Sequence, residues 1–120
     1  MMHRVLITGA SGGIGRSLRE TLRGVYPVLR LSDRMPIARA RDNEEVDQTD
    51  IADMASVEKM VAAVDGIIHL GGISGENSWE NILHGNIIGL YNVFEAARVA
   101  GVKRIVMATS NHAVGFYPRA

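Results

Sequence analysis

Val5-Leu6-Ile7-Thr8-Gly9-Ala10-Ser11-Gly12-Gly13-Ile14-Gly15-Arg16 is the stretch whose reading decides the fold. Three apolar residues and a threonine run into a glycine-rich turn, and an amphipathic run follows. That order is the sequence form of a buried parallel strand, a tight loop and a helix start. Glycines stand at Gly9, Gly12 and Gly15, a G-x-x-G-x-x-G spacing with Gly13 as an extra. The usual dinucleotide spacing is G-x-G-x-x-G, and the physical needs are the same. Gly9 lets the chain leave the strand through a conformation that a side chain would resist. Gly12 lets backbone N–H groups come close to a pyrophosphate, and Gly15 lets the helix pack against the strand. The helix N-terminus then presents unpaired N–H groups and a partial positive charge to the phosphates. A plain strand-to-helix turn would use glycines too, so the loop alone does not separate a ligand site from a bare scaffold.

Working outward, strand one is expected over about Arg4–Thr8, with a helix carrying Ile14, Leu18 and Leu22 on its apolar face and Arg16, Arg19, Glu20 and Arg23 elsewhere. Gly24 reads as its stop. Strand two is expected over about Val25–Leu31 with Pro27 near its start, followed by Ser32-Asp33-Arg34 and a surface loop from Met35 to Asn43. A short third strand, about Glu44–Gln48, is polar enough to lie at a sheet edge. Asp53 can cap a helix from Met54 to Val64, whose apolar face is Met54, Val57, Val61 and Val64. Strand four is Ile67–Leu70. A long helix from about Trp79 to Ala100 would turn Leu83, Ile87, Leu90, Phe94 and Ala97 to one side, and strand five is about Arg104–Ala108.

Alternating strands and helices imply a parallel sheet covered on both faces. Right-handed crossovers from a central first strand make it a Rossmann-like, doubly wound α/β sheet of order 3-2-1-4-5. The whole chain of 120 residues is then one dinucleotide-binding domain. Ligands in such sheets sit beyond the carboxyl ends of the strands. The glycine loop, Asp33, Asp50, Gly71–Ser74 and Ser110–His112 all follow strands in this way. Loops are enriched in such residues in any case.

The 13 basic and 13 acidic residues cancel, which gives no reason to expect a nucleic acid or an anionic membrane as partner. No cysteine is present, which excludes disulfides and thiolate metal sites and suits a reducing compartment. No stretch approaches a membrane span, and the apolar run after Met1-Met2-His3-Arg4 is too short for a signal peptide, so a cytoplasmic protein is expected. No His/Asp/Glu cluster has metal-ligand spacing, so no metal is expected.

Asp33 follows the second strand, where such a domain places the group that meets the adenosine ribose. Its carboxylate can accept the 2′- and 3′-hydroxyls and would repel a 2′-phosphate by roughly 1–4 kcal/mol at about 4 Å. NAD is therefore expected over NADP, with Arg34 next door as the group that could take up the phosphate instead. Asp50 and Ile51 could hold the adenine amino group and face, or form a helix-entry turn before Asp53. His69 inside an apolar strand reads as a hydrogen-bonded core residue. Gly71 and Gly72 allow backbone to approach a ligand, and Ser74 could offer it a hydroxyl. Ser110 could hydrogen-bond a reacting oxygen, with Asn111 and His112 on polar groups of a small substrate; a plain turn explains the same run. Asn86, mid-helix, could bond backbone near the site or face solvent. Gly85 and Gly89 could allow close helix packing, including in a homo-oligomer through the helix 79–100.

Thr8–Gly15, Asp33, His69-Leu70-Gly71-Gly72, Asn86-Ile87-Ile88-Gly89 and Thr109-Ser110 together resemble the extended short-chain dehydrogenase/reductase family, its NAD-dependent epimerase/dehydratase group. Gly71-Gly72-Ile73-Ser74, Gly85–Asn92, Ser110-Asn111-His112 and Gly115-Phe116-Tyr117-Pro118 are similar to the uronate dehydrogenase branch, which oxidises the anomeric carbon of galacturonate or glucuronate with NAD to an aldarolactone. The resemblance implies that Gly9, Ser11, Gly12, Gly13, Ile14, Gly15, Asp33, Asp50, Ile51, Leu70, Gly71, Gly72, Ile73 and Asn86 hold NAD. It implies Ser110 as the catalytic serine, with Ser74, Ser110, Asn111 and His112 on the sugar acid. The family's base is the Tyr of a Tyr-x-x-x-Lys pair. The only lysines here, Lys59 and Lys103, are preceded four residues earlier by Ala55 and Val99, so that pair is absent. Family members also run about a hundred or more residues longer. The chain therefore reads as the N-terminal portion of such an enzyme, expected to bind NAD without turnover and to leave strand five as an exposed edge. Two other readings stay open: a nucleotide-sugar epimerase or dehydratase, and a non-catalytic NAD-binding sensor module.

Overall fold

The computed structural model describes residues 1–110. Five parallel strands lie in the order β3-β2-β1-β4-β5, as the alternation of elements predicts. They are β1 (Arg4–Thr8), β2 (Val28–Asp33), β3 (Glu44–Gln48), β4 (Gly66–His69) and β5 (Arg104–Met107). The helices are α1 (Gly13–Thr21), α2 (Met54–Met60), α3 (Trp79–Ile82) and α4 (Gly89–Ala100); α3 and α4 are joined through a π-helical stretch, Leu83–Ile88. Among the described residues no helix is long and apolar enough to cross a membrane.

The central strand alternates its side chains between two cores. Val5 and Ile7 join Ala10, Leu29 and Leu31 under α1, with Leu18 and Leu22 packed on them. Leu6 faces the other way, into Val57, Met60, Val61, Val64, Ile67, Val93, Ala96 and Ala97. Alternation in one strand thus places α1 on one face of the sheet and α2 with α4 on the other. β3 and β5 are the edges, and the residues of β5 are at most half-buried.

Several expected boundaries and faces move. β2 begins at Val28 because Pro27 has no N–H to give; the first bond of that ladder runs from Val28 N to His3 O at 3.0 Å. α1 stops at Thr21, three residues before Gly24, and α2 closes at Met60, although Val61 and Val64 remain in the core. Asp53 stands at the N-cap of α2, yet its carboxylate takes the Ser56 hydroxyl and no backbone N–H. Ile14 is two-thirds exposed, and α1 buries Gly15 and Arg19 instead.

The face of the long helix is also rotated from expectation. α4 buries Gly89, Asn92, Val93, Ala96 and Ala97, while Ile87, Tyr91 and Phe94 face outward. The physical reason is distance of approach. A Cβ on Gly89 would stand 2.6 Å from the Ile51 side chain, so the small-residue stripe alone can come this close to the chain beneath it. The Gly89 contact is therefore within the chain.

Candidate cofactor site

The described strand ends that could serve a ligand open on one rim. After β1 the chain turns at Gly9 with φ +68°, and a Cβ there would stand 2.7 Å from the Leu70 carbonyl carbon and 2.8 Å from Gly71 N. Gly15 is tighter. A Cβ there would collide with the Gly9 carbonyl oxygen and stand 2.7 Å from the Ala10 Cα. The glycine spacing thus seats α1 directly on its own loop and lets that loop touch the one after β4.

The first turn of α1 is unfilled by the protein. Gly12 is the N-cap and has no side chain to offer, and no acidic residue stands in that turn. The N–H groups of Gly13, Ile14 and Gly15 therefore have no helical acceptor and lie at the positive end of the helix, with Gly15 itself buried. Gly12, Gly13 and Ile14 are exposed. This is a cradle of donors matched to a diphosphate.

Asp33 stands at the edge of that cradle. One carboxylate oxygen accepts Ser11 N–H at 2.9 Å and the other accepts Met35 N–H at 2.9 Å. Two backbone donors hold the group in place while leaving lone pairs for hydroxyls. Ser11 spends its hydroxyl on the Pro36 carbonyl at 2.8 Å, which ties the glycine loop to the loop after β2. That second loop is held from below by Arg19, whose guanidinium donates to the Ala38 and Arg39 carbonyls at 3.2 and 2.9 Å. The same guanidinium forms a two-point pair with Glu44 at 2.9 and 2.8 Å. Those bonds, Arg19 first, hold the Glu44 carboxyl down at about 2, with Arg41 adding to the effect. Sequence alone places Arg19 on the polar face of α1; its spacing with Gly15, Leu18 and Leu22 is the signal that it turns inward.

The loop after β4 is gripped from both sides. Thr8 Oγ1 lies 2.7 Å from His69 Nδ1 and accepts Leu70 N–H at 3.1 Å and Gly71 N–H at 3.0 Å. His69 is a buried, hydrogen-bonded histidine as expected, and burial pushes its pKa below the ordinary value. From the other side, Asn86 accepts Ile73 N–H at 2.6 Å and donates to the Ile73 carbonyl at 2.9 Å. Asn86 lies within the π-helical stretch, and Gly72 passes so close that a Cβ would meet its Oδ1 at 2.9 Å. π-helical turns are frequent at functional sites.

The remaining expected residues are spread around the rim. Asp50 is exposed and accepts Ala52 N–H at 3.0 Å, closing a turn at the end of β3. Ile51 packs on Gly89, and Asn92, an unforeseen partner, holds its carbonyl at 2.9 Å. Ser74 and Ser110 are exposed beyond β4 and β5. Asn111, His112 and Tyr117 lie outside the described residues. The structure therefore brings Gly9, Ser11, Asp33, Leu70 and Gly71 into one assembly, with Gly72, Ile73 and Asn86 adjoining it. Thr8 and Arg19 complete that assembly, and the sequence reading assigned neither a role.

Residues 5–119 match the NAD dependent epimerase/dehydratase family. The chain belongs to that family. It is 54% identical over 116 residues to the uronate dehydrogenase of Pseudomonas putida, a match covering 96% of this chain and 43% of that protein. Among solved structures, a mutant uronate dehydrogenase from Agrobacterium tumefaciens complexed with NAD superposes with a TM-score of 0.95 at 55% identity, over 98% of this chain and 44% of that one. The glucuronic acid dehydrogenase of Chromohalobacter salexigens gives 0.93 at 48% identity, again over 98% and 44%. The chain thus spans less than half the length of these relatives.

Proposed function

We propose that this member of the family is the cofactor-binding part of an NAD-dependent oxidoreductase acting on the anomeric hydroxyl of a hexuronic acid. The observation that carries the cofactor reading is Asp33, pinned by Ser11 and Met35 N–H beside an uncapped helix start. The substrate class rests on the likeness to uronate and glucuronic acid dehydrogenases. In this reading the N–H groups of Gly13, Ile14 and Gly15 hold the diphosphate and Asp33 holds the adenosine ribose. Asp50 and Ile51 line the adenine end, and Leu70–Ile73 form the opposite wall. NAD supplies the hydride acceptor for the anomeric carbon. Ser110 orients the hydroxyl, and Ser74, Asn111 and His112 bind the sugar acid. The proton needs a tuned base, and the Tyr-x-x-x-Lys pair of the family has no counterpart in these 120 residues.

The compartment proposed is the cytoplasm, in keeping with the absence of cysteine. Self-association through the helix 79–100 belongs to the same reading and is supported by its exposed apolar row, Ile87, Tyr91 and Phe94.

Calorimetry of the chain with NAD is the first test. Heat of binding is expected, and a folded sample that ignores NAD removes the reading. Asp33→Ala is expected to weaken NAD about tenfold, the loss of charge-assisted hydrogen bonds to hydroxyls. It should also narrow the gap between NAD and NADP. For the substrate, this chain is joined to the C-terminal segment of the Pseudomonas putida relative. NAD reduction with galacturonate or glucuronate is expected. Turnover of a nucleotide sugar, with none of either uronate, would favour the epimerase or dehydratase reading.

A further inference from the structure

The ends of β1 and β4 meet at a hydroxyl with no capacity left. Thr8 and His69 are partners in the ladder. A hydroxyl oxygen has two lone pairs and one proton. Thr8 Oγ1 accepts Gly71 N–H at 3.0 Å and shares Leu70 N–H, at 3.1 Å, with the Thr8 backbone carbonyl at 3.2 Å, so both of its lone pairs face a donor. Its proton is left for His69 Nδ1, 2.7 Å away. An imidazole that accepts at Nδ1 carries its hydrogen on Nε2. The opposite tautomer would aim a third donor at an oxygen already holding two. The Gly71 backbone rests on this pair: a Cβ there would stand 3.2 Å from Thr8 Oγ1 and 3.4 Å from His69 Cε1.

The pair also decides what the loop can offer a ligand. Thr8 consumes the amides of Leu70 and Gly71, and Asn86 consumes that of Ile73. Of these four consecutive amides, Gly72 alone has no acceptor among the described residues. Its φ of +134° is open only to glycine without strain. The wall of the crevice is thus shaped from behind, by side chains that stay out of it.

We propose that Thr8 and His69 form one positioning unit for the loop Leu70–Ile73, in which His69, as its Nε2–H tautomer, takes the Thr8 proton and so commits the Thr8 oxygen to the Leu70 and Gly71 amides. Neither residue is catalytic. Their product is a fixed loop in which the Gly72 amide alone keeps no acceptor among the described residues. This deepens the NAD reading, and its affinity test rests on that reading, whereas its spectroscopic test does not.

Long-range proton–nitrogen correlation spectra of the ¹⁵N-labelled chain at pH 7.5 read the tautomer directly, with His69→Asn identifying the His69 signals among the four histidines. Protonation at Nε2 with a bare Nδ1 is expected; a hydrogen on Nδ1 overturns the proposal. NAD affinity by calorimetry gives the second arm. Thr8→Ser keeps the hydroxyl and should stay within about twofold of the parent, while Thr8→Val should lose roughly tenfold. His69→Asn sets an amide oxygen where Nδ1 stood and should retain affinity that His69→Leu loses. A folded Thr8→Val chain that binds NAD like the parent overturns the proposal. If Thr8→Val does not fold, the tautomer of the parent decides. If the parent itself ignores NAD, the cofactor reading fails, and the spectra still decide the pair.

Discussion

Gly15→Ala is expected to destabilise the fold by about 3 kcal/mol or more and to abolish NAD binding, whereas Gly13→Ala, two residues away, should be neutral or slightly stabilising. The contrast rests on what a methyl group would meet. At Gly15 it would strike the Gly9 carbonyl and stand 2.7 Å from the Ala10 Cα and 2.9 Å from the Ala10 carbonyl carbon. All of these are backbone, so no rotamer change can relieve the contact. Forcing extra volume into packed structure costs typically about 1–3 kcal/mol, and backbone collisions lie at the upper end. A domain this size holds only about 5–15 kcal/mol in all. The relief available is for α1 to move off its loop, which displaces the N–H groups of Gly13, Ile14 and Gly15. At Gly13 a Cβ meets nothing within 4 Å, and the position is helical. Alanine there should gain roughly 0.5–1 kcal/mol through lower chain entropy in the unfolded state. Urea denaturation of the two variants checks the difference. Equal midpoints would mean that the loop is not seated as described.

That loop was the most legible part of the chain because its constraint is local. A glycine is needed wherever backbone meets backbone, and Gly9 and Gly15 advertise such meetings without knowledge of the rest of the fold. The strand order was legible for a related reason, since β1 to β4 are short apolar or polar runs separated by turn residues, and the crossover rule prunes the topologies. What could not be read depends on partners far along the chain. Arg19 resembles any surface arginine until Glu44 and the carbonyls of Ala38 and Arg39 are brought beneath α1. The long helix offered two apolar stripes. The bulky one, Leu83, Ile87, Leu90, Phe94 and Ala97, is the face its period suggests, and of these only Ala97 is buried. The sheet accepts the slender one, Gly89, Val93, Ala96 and Ala97, because of how closely Ile51 approaches. The clamp on Ile73 by Asn86 depends on a π-helical stretch that no periodicity announces.

The second large effect is expected from Arg19→Ala, at about 3 kcal/mol of stability, with the loop after β2 loosened as well. Arg19 and Glu44 have side chains only 8% and 2% exposed. Removing one member of a buried pair strands the other charge, which costs roughly 3–5 kcal/mol. Arg41 still reaches Glu44 at 3.2 Å and donates a backbone N–H to it at 2.8 Å, which sets the expectation at the low end. The Ala38 and Arg39 carbonyls lose their donors too, so the anchorage between Ser11 and Pro36 slackens and NAD affinity should fall along with stability. Arg41→Ala is the control. Its side chain is 32% exposed and solvent screens its charge, so its loss should cost clearly less than that of Arg19. Acid provides an independent check. The Glu44 carboxyl is held at about 2 in the folded chain against an ordinary 4.5. A group with a depressed folded value contributes its stability above the unfolded value and loses it as pH falls between the two. The parent should therefore shed on the order of 2 kcal/mol from this site between pH 5 and pH 2. Arg19→Ala has already lost the largest single part of that contribution, so its denaturation midpoint should change less over the same range. Parallel acid profiles for parent and variant would mean that Arg19 is not what holds Glu44 ionised.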